Sequence, residues 1–130
     1  MTITIDSLCH NFDKVEVLQV KAQGFTQLWQ PEKALEIFAV TDMMRSLRPA
    51  RDQCSYDIIK AQAHCYVGDT QTGIDLANKG INLAKSLQSS RYMTRLRQMS
   101  DRLSVTPLGQ ERPMKELRGE ILATLQNMKR

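Results

Sequence analysis

Apolar residues recur at intervals of three and four along nearly the whole chain, the period of helices that bury one face, and the pattern predicts six of them. The first starts at about Asn11 and carries Val17, Val20, Ala22, Gly24 and Leu28 on its apolar side. Gln30-Pro31 interrupts it, and Pro31 suits the first turn of a second helix, where its missing N–H has no helical bond to lose. Ala34, Leu35, Phe38, Met43 or Met44, and Leu47 form the stripe of that helix. Arg48-Pro49 ends it, because a residue before proline is pushed out of the helical region. A third helix fits residues 51–67, with Ile58, Ala61, Cys65 and Tyr66 supplying its apolar surface. Gly68-Asp69 is a stop followed by a start: glycine accepts the left-handed position after a helix, and the Asp69 carboxylate can cap the next one. The fourth helix, residues 70–87, turns Ile74, Ala77, Ile81 and Ala84 or Leu83 inward. Ser89 or Ser90 caps a fifth, striped by Tyr92, Leu96, Met99 and Leu103. After the loop Thr106-Pro107-Leu108-Gly109, a last helix over residues 113–128 buries Met114, Leu117, Ile121 and Leu125. The alternating Thr and Ile of the first six residues have no sheet to join, so residues 1–10 read as an arm and residues 11–130 as one all-α domain.

An internal repeat organises these helices. Lys21-Ala22-Gln23 recurs as Lys60-Ala61-Gln62, a shift of 39 residues, and the same shift aligns Val17 with Tyr56, Val20 with Ile59, Leu35 with Ile74 and Phe38 with Ala77. Small residues on paired helices let them approach closely. Gly73 and Gly80 lie near one face of the fourth helix, and each costs about 1 kcal/mol against alanine, so a close neighbour is expected to compensate. The spacing resembles tetratricopeptide repeats, with Ala22 and Ala34 at small positions, Phe25 and Phe38 at large ones, and Ala61, Gly68, Gly73 and Ala77 in corresponding places of the second copy. The period is longer than that family's usual one, and the consensus Trp and Pro are missing from their places. A narrower resemblance, over roughly residues 12–125, is to the C-terminal regions of bacterial regulators that join a helix-turn-helix module to divergent repeats of this kind. Leu28-Trp29-Gln30-Pro31-Glu32-Lys33-Ala34-Leu35, Ile59-Lys60-Ala61-Gln62-Ala63-His64 and Ser90-Arg91-Tyr92-Met93-Thr94-Arg95 carry it, with Val67-Gly68-Asp69 and Arg102-Leu103. The resemblance implies a right-handed stack of three antiparallel helical hairpins that binds a protein or peptide, without a DNA-binding half in this chain.

Composition narrows the function. A net charge of +4 from 18 basic and 14 acidic residues is modest and interspersed, so direct nucleic-acid binding is not expected. No apolar run approaches the length of a membrane span. Three cysteines, an odd number without a staple pattern, point to a reducing compartment, and the cytoplasm is the expected location. Glycine-rich phosphate loops and nucleophile elbows are missing, and two histidines leave few acid–base options, so a non-catalytic module without cofactors is expected. Cys9-His10 and His64-Cys65 lack the spacings of zinc modules, and no metal is assigned to them.

Two groups of residues are candidates for binding. By the family register, the first helix of each hairpin lines an inner surface, which would present Gln19, Gln23 and Gln27, then Ser55, Ile58, Gln62 and Tyr66. Glutamines four apart suit hydrogen bonding to an extended partner. Arg91, Arg95 and Arg102 form a stripe on the fifth helix that could hold a carboxylate or phosphate, since the guanidinium fork grips such groups in two places. The leading expectation is a regulatory protein- or peptide-binding module. The alternatives are a sensor of a small acidic ligand on the arginine stripe and a self-association module forming a homo-oligomer.

Overall fold

The chain forms six α-helices in order: α1 (Ile5–Gln27), α2 (Pro31–Met43), α3 (Ala50–Tyr66), α4 (Thr70–Ser86), α5 (Ser90–Ser104) and α6 (Arg112–Met128), with a short 3₁₀ turn at Pro107–Gln110. The computed structural model describes residues 5–43 and 50–128, with side chains for residues 16–43 and 51–128. No strand occurs among the described residues, so the all-α class holds. Helix α1 starts at Ile5, ahead of the expected start at about Asn11. The expectations placed on Met44, Leu47 and Arg48-Pro49, and on the side chains of Cys9 and His10, lie outside the described residues. Among the described residues, no helix is long and apolar enough to cross a membrane.

Three of the helix ends share one backbone corner. Trp29 (φ 59°), Gly68 (φ 90°) and Gln88 (φ 51°) each take a left-handed conformation just after α1, α3 and α4. At each corner the left-handed N–H donates three residues back, to Thr26, Cys65 or Lys85, and the next N–H donates five residues back, to Phe25, His64 or Ala84. These paired bonds satisfy carbonyls that a helix end leaves open. The first two corners stand 39 residues apart, the shift of the Lys-Ala-Gln repeat. Ser89 then caps α5 as expected, accepting the Tyr92 N–H at 3.3 Å. Asp69 does not cap α4 through its side chain. Its carboxylate instead approaches His64 Nδ1 at 3.3 Å. An added Cβ at Gly68 would meet nothing within 4 Å, so only the backbone opposes a side chain there. Gly68→Ala is expected to lower unfolding free energy by about 1 kcal/mol in a denaturant titration, the cost of left-handed backbone for an L-residue.

Helix α3 is the spine of the packing. One of its sides, with Tyr56, Ile59 and Ala63, packs on Ala22 of α1 and on Ala34 and Phe38 of α2. Another side, with Cys54, Ile58, Ala61 and Cys65, joins the larger cluster with α4, α5 and α6, which contains Ile81, Leu96, Leu103 and Ile121. Contacts join α1 to α2, α3 to α4 and α5 to α6, and they also join α1 to α3 and α3 to α5. The two glycines of α4 have the close neighbours that their cost requires. A Cβ on Gly73 would fall on Cys65 Sγ, with the Ala61 carbonyl at 3.0 Å, and one on Gly80 would sit 3.2 Å from Ile58 Cγ1. The Cys54 thiol donates to the Gly80 carbonyl at 3.4 Å.

Of the apolar side expected for α1, Ala22 is buried as expected, and Val17, Val20 and Leu28 are corrected. Val17 and Val20 are mostly exposed, as is Leu28 just beyond the helix, whereas Ala22 and Thr26 are buried. At 100° per residue, Val17, Val20 and Gly24 point away from Ala22 and Thr26. The neighbouring helices take the small residues because these admit close approach. Thr26 tolerates burial because its hydroxyl donates to the Ala22 carbonyl at 2.8 Å.

Candidate functional site

The C-terminal half of α1, the middle and end of α3 and the length of α5 together form one polar and aromatic face. Its pivot is Ser55 on α3. Gln19 of α1 donates to Ser55 Oγ at 3.5 Å, and Arg95 of α5 donates to the same oxygen at 2.8 Å. One small hydroxyl thus links three helices whose sequence positions span most of the domain.

Two turns further along, the face becomes aromatic. Gln62 donates to the Tyr66 hydroxyl at 2.6 Å. The Tyr66 ring stacks on Trp29, with centroids 4.1 Å apart and planes 17° from parallel. Arg102 places its guanidinium 5.4 Å from the Trp29 ring centroid and donates to the Gln27 carbonyl at 3.1 Å. That carbonyl belongs to the last turn of α1, the negative end of the helix dipole, where a cation is favoured. Burial pushes the Tyr66 hydroxyl pKa up, partly opposed by the Gln62 hydrogen bond and the Arg102 charge.

The arginines of α5 and α6 fall into two groups. Arg97 and Arg118 both meet Asp101, and Arg112 meets Glu116. Arg91, Arg95 and Arg102 form no ion pair among the described residues, and the last two rest on neutral oxygens. Arg95 is half-buried, and its desolvation disfavours the charged form, with the Arg91 charge adding to that effect. Its guanidinium also lies 5.8 Å from the Tyr92 ring centroid. A cavity of about 220 Å³ opens beside the aromatic stack. Trp29 and Tyr66 border it with Leu103, Pro107 and Leu108, while Cys65, Gly68 and Thr106 complete its lining.

Of the residues expected on the inner surface, Gln19 is brought to Ser55 and Gln62 to Tyr66. Gln19, Gln23, Gln62 and Tyr66 are half-buried and Gln27 is exposed, on the helices expected to carry them. The arginine stripe, expected as a separate site, is joined to the glutamines through Ser55 and to the aromatic pair through Arg102. Ile58 is the exception. It is buried in the larger apolar cluster, on the side of α3 shared by Cys54, Ala61 and Cys65, close enough to α4 that a Cβ on Gly80 would sit 3.2 Å from its Cγ1. Trp29 was not among the expected site residues. Its signal in the sequence is its position 39 residues before Gly68, where a tryptophan occupies a corner that favours glycine.

Neither described cysteine is poised for chemistry. Burial, reinforced by Asp57, pushes the Cys54 thiol up to about 11, and burial with Asp69 pushes Cys65 up to about 12. Both stay protonated at neutral pH, and nucleophilic or metal-binding sulfur needs the thiolate. Among the described residues, no group of three His, Cys, Asp or Glu side chains is placed to hold a metal ion. Comparison with known protein families, curated proteins and solved structures gives no match for the chain.

Proposed function

We propose that the chain is a tetratricopeptide-like stack of three hairpins that binds a protein or peptide partner along the α1–α3–α5 face, as a regulatory module without catalysis. The observation that carries this reading is the continuity of that face. Gln19, Ser55 and Arg95 are linked across three helices, and Trp29, Tyr66 and Arg102 extend the same surface with aromatic area. Aromatic rings and arginine are the side chains that most often dominate binding energy at interfaces. Glutamines offer both donors and acceptors to a partner's backbone.

The test uses a tagged chain and its Gln23→Ala/Gln62→Ala/Tyr66→Ala variant in crosslinking and affinity purification from the native host. The expected result is a defined partner retained by the parent chain and lost by the variant, with the variant still helical by circular dichroism. Equal recovery by both chains, or no specific partner with either, refutes the reading.

A further inference from the structure

We propose that the partner is an acidic segment held by one apolar anchor, which enters the cavity beside Trp29 and Tyr66, while a carboxylate about three residues away meets Arg95. This rests on the peptide-binding reading above and specifies its ligand.

The cavity supports the anchor. At about 220 Å³ it has room for a single large side chain, and Leu103, Pro107, Leu108 and the two rings give it mainly apolar walls. Interfaces concentrate their affinity in small desolvated pockets of this type. Trp29 retains half of its surface exposed, so it has area left to lose when a partner docks.

The arginines support the acid. The other three arginines of α5 and α6 have carboxylate partners within the chain, whereas Arg91, Arg95 and Arg102 have none among the described residues. Arg95 is the most informative, because it is half-buried and its described hydrogen bond goes to one neutral hydroxyl. A charge drawn out of water without an opposite charge favours an incoming anion. A carboxylate can approach the rest of its planar fork in a paired geometry. Arg102 beside the rings adds positive potential at the rim of the cavity.

The spacing follows from helix geometry. Arg95 precedes Arg102 and Leu103 by about two turns of α5, roughly 10 Å at 1.5 Å per residue. An extended peptide covers that distance in about three residues at 3.3 Å each. The preferred ligand therefore carries Asp or Glu about three positions from a Leu, Ile, Met or Phe.

A phage-displayed library of random 12-residue peptides, panned on the full chain, tests this. The expected result is enrichment of that apolar–acidic pair at a spacing of two to four. A synthetic peptide from the enriched set should bind about tenfold more weakly when its acid is changed to Gln, and Arg95→Gln should cause the same loss. Combining both changes should add little, whereas Arg112→Gln, with the same change in net charge, should leave affinity intact. Leu108→Trp, which fills the cavity, should weaken binding about tenfold at unchanged helicity. Enrichment of neutral or basic sequences, or additive effects of the peptide and Arg95 changes, overturns the inference and leaves the peptide-binding reading standing. No enrichment over the Gln23→Ala/Gln62→Ala/Tyr66→Ala variant overturns both.

Discussion

Phe38→Ala is expected to remove about 3–5 kcal/mol of stability, the range for deleting a buried phenylalanine. The smaller apolar cluster explains why the loss should be large and local. Of its buried members Ala22, Ala34 and Ala63 are small, so Phe38, Tyr56 and Ile59 supply most of its volume. Phe38 lies edge-on to Tyr56, with centroids 5.1 Å apart and planes 89° from each other. The Tyr56 hydroxyl in turn meets Thr41 Oγ at 2.8 Å, the Phe38 carbonyl at 3.4 Å and the Asp42 carboxylate. Losing the Phe38 ring opens a void and leaves that polar group without its apolar support. Hydrogen exchange should show faster opening in α1 and α2, with α4 and α6 keeping their protection, because their cluster is separate and larger. A uniform loss of protection over all six helices would show instead that the two clusters fail as one.

The second large effect is expected at Gly73. Alanine is worth about 1 kcal/mol more than glycine inside a helix, so propensity alone predicts stabilisation. The packing opposes it. The new Cβ would fall on Cys65 Sγ, with the Ala61 carbonyl at 3.0 Å and the Cys65 amide nitrogen at 3.2 Å. Overpacking of this kind costs about 1–3 kcal/mol. With backbone atoms of α3 among the obstacles, Gly73→Ala is expected to lose about 1–2 kcal/mol net in chemical denaturation. Adding Cys65→Ala removes the sulfur contact and should recover part of the loss, giving a positive coupling in a double-mutant cycle. A Gly73→Ala chain as stable as the parent would mean that α3 and α4 can separate freely.

The helix boundaries were legible because they depend on local backbone chemistry. Pro31, Gly68 and Ser89 each act on the residues beside them, and each helix start or stop they mark is present. The glycines of α4 were legible for a related reason: residues that are costly in a helix need a close neighbour. The exposed side of α1 was not. Val17 and Val20 have the more apolar side chains, yet Ala22 and Thr26 face the neighbours, and that choice depends on distances between helices. Ile58 was misplaced because α3 packs on both sides, which leaves only a narrow strip with Ser55, Gln62 and Tyr66 for the face. The joining of glutamines and arginines was also invisible, since it depends on a serine hydroxyl reached from residues 36 positions before and 40 after it.

The corner at Trp29 has a consequence for optical spectroscopy. This is the only tryptophan of the chain, it belongs to neither apolar cluster, and its ring lies against Tyr66 and Arg102. Its emission therefore senses the junction of the end of α1 with the end of α3 and the flank of α5, whereas far-ultraviolet ellipticity senses every helix. Overlaid thermal traces from the two signals would read out whether the end of α1 parts from α3 and α5 before the helices melt or together with them.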